Sequence, residues 1–454
     1  MSALATSIVL AISLILIVLW KSHKTHSTSK DPAICRQIIT GVLKSTENQP
    51  NILSPHEAKA IANRHLPIAF GIDNAFTRAD SVHASIFVNK VKPLINLSAE
   101  QWHNVSEFAR VTTSHWIEHG FPDLGTSCGN SSHKEQNKSR NKINRINIAS
   151  LAQILSLKVV LWQIFDQKTQ DQTSDESLLN LAQSINRVWI SSKVKTADND
   201  IPKFEDDILL QTSLENIFGK HDRPEDNPLN LILPSFETMW RVVLRAFLEI
   251  KFASGREIHA WQQTMIAFAS KPTKSQFDTC PESPFSCSKS KYSTGLGITD
   301  ACGVQSAPSA HSIVRESLRL YVPTRHVHRA YQWDQGAPYE TYSADIEGCH
   351  LRSDIWGSDA ERFDPSRWSA LTPAQGNAFM PFGCAPFECP AKPTFGPRMI
   401  GVLVGSLLAA LKEDPSRNWS LDCEDGRALE GITPGKRLCP HRTSYTDLYL
   451  VRSL

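Results

Sequence analysis

The 454-residue chain has almost no net charge: 48 Lys and Arg stand against 46 Asp and Glu, a formal +2 at pH 7. It also lacks any long basic run or basic face, which excludes a nucleic-acid binder held by phosphate contacts. No internal repeat occurs, which excludes a stacked-repeat solenoid. Charged residues are 21% and apolar residues 41% of the chain, so the bulk is globular rather than disordered. The length allows two ordinary domains or one large fold.

Another absence lies at the N-terminus. "MSALATSIVLAISLILIVLW" carries no charge through Trp20, and no basic residue precedes its apolar run. A secretory signal peptide would need a basic leading region and a small-residue cleavage site. About 20 apolar residues span a bilayer. The first positive charges, Lys21 and Lys24, follow the run and place the rest of the chain in the cytosol. The predicted organisation is a membrane anchor over 1–20, a polar tether over 21–34 and a cytosolic domain over 35–454. Ten cysteines in that compartment are expected to be reduced, without a disulfide framework. The glycosylation sequons at Asn96, Asn104, Asn130, Asn137 and Asn418 are expected to stay bare.

What is present is helical. "INRINIASLAQILSLKVVLWQIF" (143–165) places Ile148, Leu151, Leu155, Val159 and Trp162 on one helical face. Between Ser235 and Ile250, Phe236, Met239, Trp240, Val243, Leu244, Phe247 and Leu248 form a second stripe. "DQKTQDQTSDES" (166–177) and residues 271–310 read mostly as loops. A helix near 311–320, short extended segments and a long helix ending near Leu411 complete a mainly α chain. Its minor sheet is expected in the C-terminal half.

"FMPFGCAPFECPAKPTFGPRMIGVLVGSLL" (379–408) puts Cys389 ahead of a long apolar helix. Zinc would need further ligands in recognisable pairs, and Cys384 with Cys389 has no second pair nearby. A nucleophilic thiolate would need a base, which the local sequence does not nominate. A single axial thiolate on haem needs only small neighbours, backbone N–H groups and an apolar helix behind it. Gly383, Ala385 and Ala391 provide small positions and Phe382 provides cover. The alternative is a buried free cysteine. Upstream, "HSIVRESLRL" puts Glu316 and Arg319 three apart on a helix, and "FDPSRW" puts Arg367 in an extended, proline-containing segment. Alone, Glu316 and Arg319 would be a routine surface pair.

Taken in order, E-x-x-R, F-x-P-x-R-W and F-G-x-x-x-x-x-C resemble the cytochrome P450 family, strongly over about the last 140 residues. The divergent loop is similar to fungal biosynthetic members. The resemblance implies that Glu316, Arg319 and Arg367 lock the core beneath haem b and that Cys389 is the axial iron ligand. Cys384 is then a bystander. From "VPTRHVHR" it nominates Arg329, then Arg325, for a haem propionate, and His83 of "ADSVHASIFVNK" as a weaker cofactor contact, with Lys90 after it. Ala385 and Ala391 replace glycines of the commonest pattern, and Phe387 stands where a basic residue usually approaches a propionate. Pro390, Pro393 and Pro397 delay the following helix.

In "LPSFETMWRVVLRAFLEI" the resemblance nominates Glu237 and Thr238 as the acid and alcohol that manage dioxygen and its protons. The competing reading has Ser235 capping a new helix and Glu237 pairing with Arg241. The implied function is an endoplasmic-reticulum monooxygenase fed from NADPH by a membrane-bound reductase. Its substrate would be a small apolar terpenoid, polyketide or alkaloid intermediate. The rivals are a haem-thiolate enzyme that couples, closes rings or rearranges without inserting oxygen, and a non-catalytic haem-binding protein.

Overall fold

The computed structural model describes residues 26–121, 145–165, 173–193, 201–253, 258–280, 307–411, 418–423 and 426–452. The expected anchor over 1–20, the sequons at Asn130 and Asn137 and residues 281–306 of the expected loop lie outside them. Among the described residues, no helix is long and apolar enough to cross a membrane.

The expected tether is built into the fold from His26 onward. Strand β1 (His26–Ser29) is wholly polar, yet it pairs in parallel with a strand over 300 residues away. The backbone ladder, not side-chain burial, holds it there. Asp31 then accepts from the amides of Ala33 and Ile34 to start α1 (Pro32–Thr40), an N-cap with proline at the first helical turn.

After α1 come α2 (Pro55–Ala62), opened by a Ser54–Glu57 capping box, α3 (Ser81–Ile95) and α4 (Ala99–His119). Strand β2 (Arg145–Asn147) leads directly into α5 (Ile148–Ile164), whose expected apolar face is buried except for the half-buried Trp162, together with most of its other positions. A helix buried almost all round carries no single stripe. Helix α6 (Asp175–Lys193) starts inside the expected 166–177 loop because Asp175 accepts from Trp116 Nε1 at 2.6 Å and pairs with Lys158. Helix α7 (Ile208–Phe218) follows.

The second predicted stripe forms α8 (Met239–Leu248), buried throughout, and α9 (Ile258–Ser270) packs beside the long α12 (Phe395–Ala410). Between them lie α10 (Ala310–Leu320), β3 (His326–Tyr331), β4 (Glu340–Asp345) and α11 (Ile346–His350). Gly401 and Gly405 let α9 approach α12 closely. A Cβ at Gly405 would lie 2.3 Å from the Met265 carbonyl oxygen, so no other residue fits. Strands β5 (Trp419–Cys423) and β6 (Leu448–Arg452) close the chain.

Two three-stranded sheets result. The first has the order β1-β4-β3, with β3 antiparallel to β4, and the second is the antiparallel β2-β6-β5. Four of these six strands fall in the C-terminal half, and each sheet recruits one strand from the N-terminal half. The helices bury one large apolar core against α5, α8 and α12.

Candidate functional site

The pair on α10 is not at the surface. Glu316 and Arg319 are both at 0% exposure. Arg319 Nε and Nη2 donate to the two Glu316 carboxylate oxygens at 2.9 and 2.8 Å. The guanidinium also donates to the carbonyls of His350, Ala360 and Arg362 at 2.8, 2.6 and 3.2 Å. Arg367 Nε adds a bond to Glu316 Oε1 at 3.0 Å, beside the Asp364 amide at 2.9 Å. Trp368 Nε1 reaches Oε2 at 3.0 Å. Arg367 sits in a short 3-10 turn, Pro365–Ser369, rather than the extended segment expected. Every acceptor of the carboxylate is thus engaged, which is what a buried charge requires.

His350 ties this lock to the cysteine loop. Its Nδ1 pairs with the Arg319 carbonyl at 3.0 Å, and its Nε2 accepts the Met380 amide, also at 3.0 Å. Burial drives its pKa down to about 3, so the ring is neutral and suits one donor and one acceptor role. No sequence motif pointed to His350.

Cys389 is half-buried in the loop between Phe379 and α12. Its amide donates to the Phe382 carbonyl at 2.9 Å. Burial pushes the thiol above its ordinary pKa, and the Ala391 N–H, bonded to the sulfur, pulls the other way. A sulfur so placed is a metal ligand only when the metal displaces its proton. As the prolines predicted, α12 begins at Phe395 rather than at the cysteine. Gly396 is required there because a Cβ would lie 2.9 Å from the Phe382 ring. Cys384 packs among Cys35, Ile38, Cys349 and Met380 in a small separate core, a packing role.

The basic residues divide. Arg325 Nε is held by Glu347 at 2.5 Å, and Arg437 pairs with the same carboxylate. Among the described residues Arg329 has no such partner; it donates to the backbone carbonyls of Ile39 and His328 and lies 5.0 Å over the Phe387 ring. His83 is on the exposed surface of α3, 2.7 Å from Asp80, whose carboxylate also caps that helix. None of its bonds reaches the cysteine loop. Lys90 lies farther along the same helix.

Ahead of α8 the helix widens. Pro234 has no N–H to give, and residues Leu233–Glu237 form a π turn between Leu229–Ile232 and α8. Such turns often mark functional sites. Ser235 does not cap a helix: its hydroxyl donates back to the carbonyls of Leu231 at 2.6 Å and Ile232 at 3.1 Å. Thr238 donates to the Pro234 carbonyl at 3.0 Å. Glu237 pairs with Arg241, as the competing reading expected, and with Arg442 at 2.9 Å. Glu237 and Thr238 therefore flank one distorted turn, with the acid already neutralised. Nothing in "PHRTS" signalled Arg442 as a partner.

Cys389 stands in the loop ahead of the buried apolar α12, and His350 links that loop to the buried Glu316–Arg319 pair. No family model matches this chain. Its fold is that of the cytochrome P450s. It superposes on a variant of cytochrome P450SP alpha with a TM-score of 0.53, 11% identity, and coverage of 94% of this chain and 91% of the other. The same protein in complex with (R)-ibuprophen gives 0.50, at 10% identity, over 87% and 86% of the two chains.

Curated relatives match short segments. Benzoate 4-monooxygenase bphA of Aspergillus niger is 43% identical over 54 residues, 12% of this chain and 10% of the relative. Cytochrome P450 monooxygenase apdE of Emericella nidulans is 51% identical over 43 residues, 10% and 8%. Cytokinin hydroxylase of Arabidopsis thaliana is 26% identical over 129 residues, 27% and 25%. The chain thus aligns with a quarter or less of the length of each of these relatives. In both fold and sequence it is cytochrome P450-like, and two of the three relatives are fungal.

Proposed function

We propose that the chain is a haem-thiolate monooxygenase acting on a small apolar intermediate of specialised metabolism. Haem b, when bound, supplies the iron at which dioxygen is activated. The residues around the loop fit that group: Cys389 offers the sulfur, the Ala391 amide steadies it, and α12 gives it a dry support. The lock at Glu316, Arg319 and Arg367 fixes the loop from below through His350. Thr238 Oγ1, bonded to a carbonyl at a widened turn, is the hydroxyl placed to pass protons. Electrons would come from NADPH through a cytochrome P450 reductase at the endoplasmic reticulum, with residues 1–20 as the anchor.

The observation that carries this reading is Cys389: a thiol with a backbone amide on its sulfur, set before an apolar helix and above a fully paired buried core. The names of the fungal relatives support oxygen insertion as the reaction class. One observation favours the second reading, coupling or ring closure without oxygen insertion. The Glu237 carboxylate, next to Thr238, is occupied by Arg241 and Arg442 rather than free to move protons. Incubating the full chain with reductase, NADPH and extracts of its host separates the two. A product that gains one oxygen atom from dioxygen supports the monooxygenase. A product that only loses hydrogens supports the second reading. NADPH consumption that no extract stimulates contradicts both.

A further inference from the structure

Cys35 and Cys349 stand 314 residues apart in the sequence and in contact in the fold. Cys35 lies on α1 and Cys349 on α11, both at 0% exposure. The Cys349 thiol donates to the Cys35 sulfur at 3.4 Å and lies 3.3 Å from the Lys30 carbonyl. The Cys35 thiol donates to the Ser29 carbonyl at 3.0 Å, and the Asp345 N–H is bonded to its sulfur.

The two thiols are not equivalent. The hydrogen bond from Cys349, outweighing burial, brings the Cys35 thiol below its ordinary pKa, and the same bond together with burial drives Cys349 up. Cys35 is therefore the attacking sulfur of the pair and Cys349 the resolving one. Both belong to a small core separate from the main one, with Ile38, Ile39, Ile346 and Met380. Both also rest on carbonyls at the end of β1, a four-residue polar strand at the edge of its sheet. Such an edge opens locally at far lower cost than the main helical core, which admits a small oxidant. The residue after Cys349 is His350, which holds the Arg319 carbonyl and the Met380 amide of the cysteine loop.

We propose that Cys35 and Cys349 are a dithiol site oxidised by hydrogen peroxide, and that their disulfide fastens β1 and α1 to α11 beside His350. The Cys35 thiolate attacks one peroxide oxygen. The S–O bond forms, the O–O bond breaks, and the departing hydroxide takes the proton that Cys35 released and leaves as water. The Cys349 sulfur then attacks the Cys35 sulfenic sulfur. The S–S bond forms, the S–O bond breaks, and the second hydroxide leaves as water with the Cys349 proton. Two electrons pass from the two sulfurs to peroxide, and the step needs no haem.

Peptide mapping of the full chain tests this. The chain is exposed briefly to hydrogen peroxide, its remaining thiols are alkylated in denaturant, and it is digested without reductant. The Cys35 and Cys349 peptides should appear joined, two hydrogens lighter than their sum, and dithiothreitol should part them. In the joined form, amide hydrogen exchange over residues 26–40 should slow by about tenfold or more, since that segment no longer opens alone. Cys384→Ala should still form the link, and Cys35→Ala should leave Cys349 open to alkylation. The mapping itself needs only the parent chain. Recovery of both cysteines as alkylated thiols or as sulfinic and sulfonic acids overturns the assignment. So does a link from either one to Cys384, or unchanged exchange in the joined form.

Discussion

Glu316 and Glu237 are each buried between two arginines, and they differ in what is left unsatisfied around them. Glu316 pairs with Arg319 and Arg367, Glu237 with Arg241 and Arg442. Around Glu316 a tryptophan and a backbone amide complete the carboxylate, and three carbonyls absorb the remaining donors of Arg319. Trp240 Nε1 likewise reaches the Glu237 carboxylate at 3.3 Å, but among the described residues the buried Nε of Arg241 has no partner. Arg442 is partly exposed. A completed set of this kind fixes a core. An uncompleted one beside a π turn keeps donors available to a water or a ligand.

Breaking the completed set should have the largest effect. Arg319→Met leaves a carboxylate with 0% exposure short of its main partner, which costs about 3–5 kcal/mol. The urea midpoint of unfolding should drop accordingly, or the variant should not accumulate as folded protein.

Another buried glutamate, with no arginine partner among the described residues, sharpens the contrast. Glu249 accepts from the Tyr321 hydroxyl, and burial raises its pKa from 4.5 to about 7. A carboxyl raised in the folded state contributes stability below its unfolded pKa and loses it as pH rises through about 7. Relative to Glu249→Gln, the parent should therefore weaken by about 3 kcal/mol between pH 4.5 and pH 8. Chemical denaturation at the two pH values measures this. Stability that rises over that interval relative to the variant would mean the group is charged in the fold.

Arg442→Met should cost less, about 1–2 kcal/mol, because Glu237 keeps Arg241. If it matches Arg319→Met, the distinction between the two sets is wrong. Ser235→Ala should cost under about 1 kcal/mol, the value of a lost helix cap, since its hydroxyl caps nothing.

Much of the lock was legible because its residues lie on fixed local spacings: three apart on a helix for Glu316 and Arg319, and one short turn for Arg367 and Trp368. Cys389 was legible for the same reason, as a sulfur before an apolar run. His350 and Arg442 were not. Each meets its partners through tertiary packing across α11 or the final loop, and no periodicity records such distances. The strand at "HSTS" was not legible because the segment has no apolar signal, and a strand held by its backbone ladder needs none. The Glu237–Arg241 spacing was visible, but the π turn that decides its meaning follows from how Pro234, Ser235 and Thr238 redirect three carbonyls.

The haem-thiolate reading is tested most directly at the cysteine loop. The reduced carbon monoxide complex of the parent chain should show the red-shifted Soret band of thiolate ligation. Cys389→Ser should abolish that band, and Cys384→Ser, which alters only packing in the small core, should keep it. Loss of the band in Cys384→Ser with retention in Cys389→Ser would contradict the assignment of the sulfur.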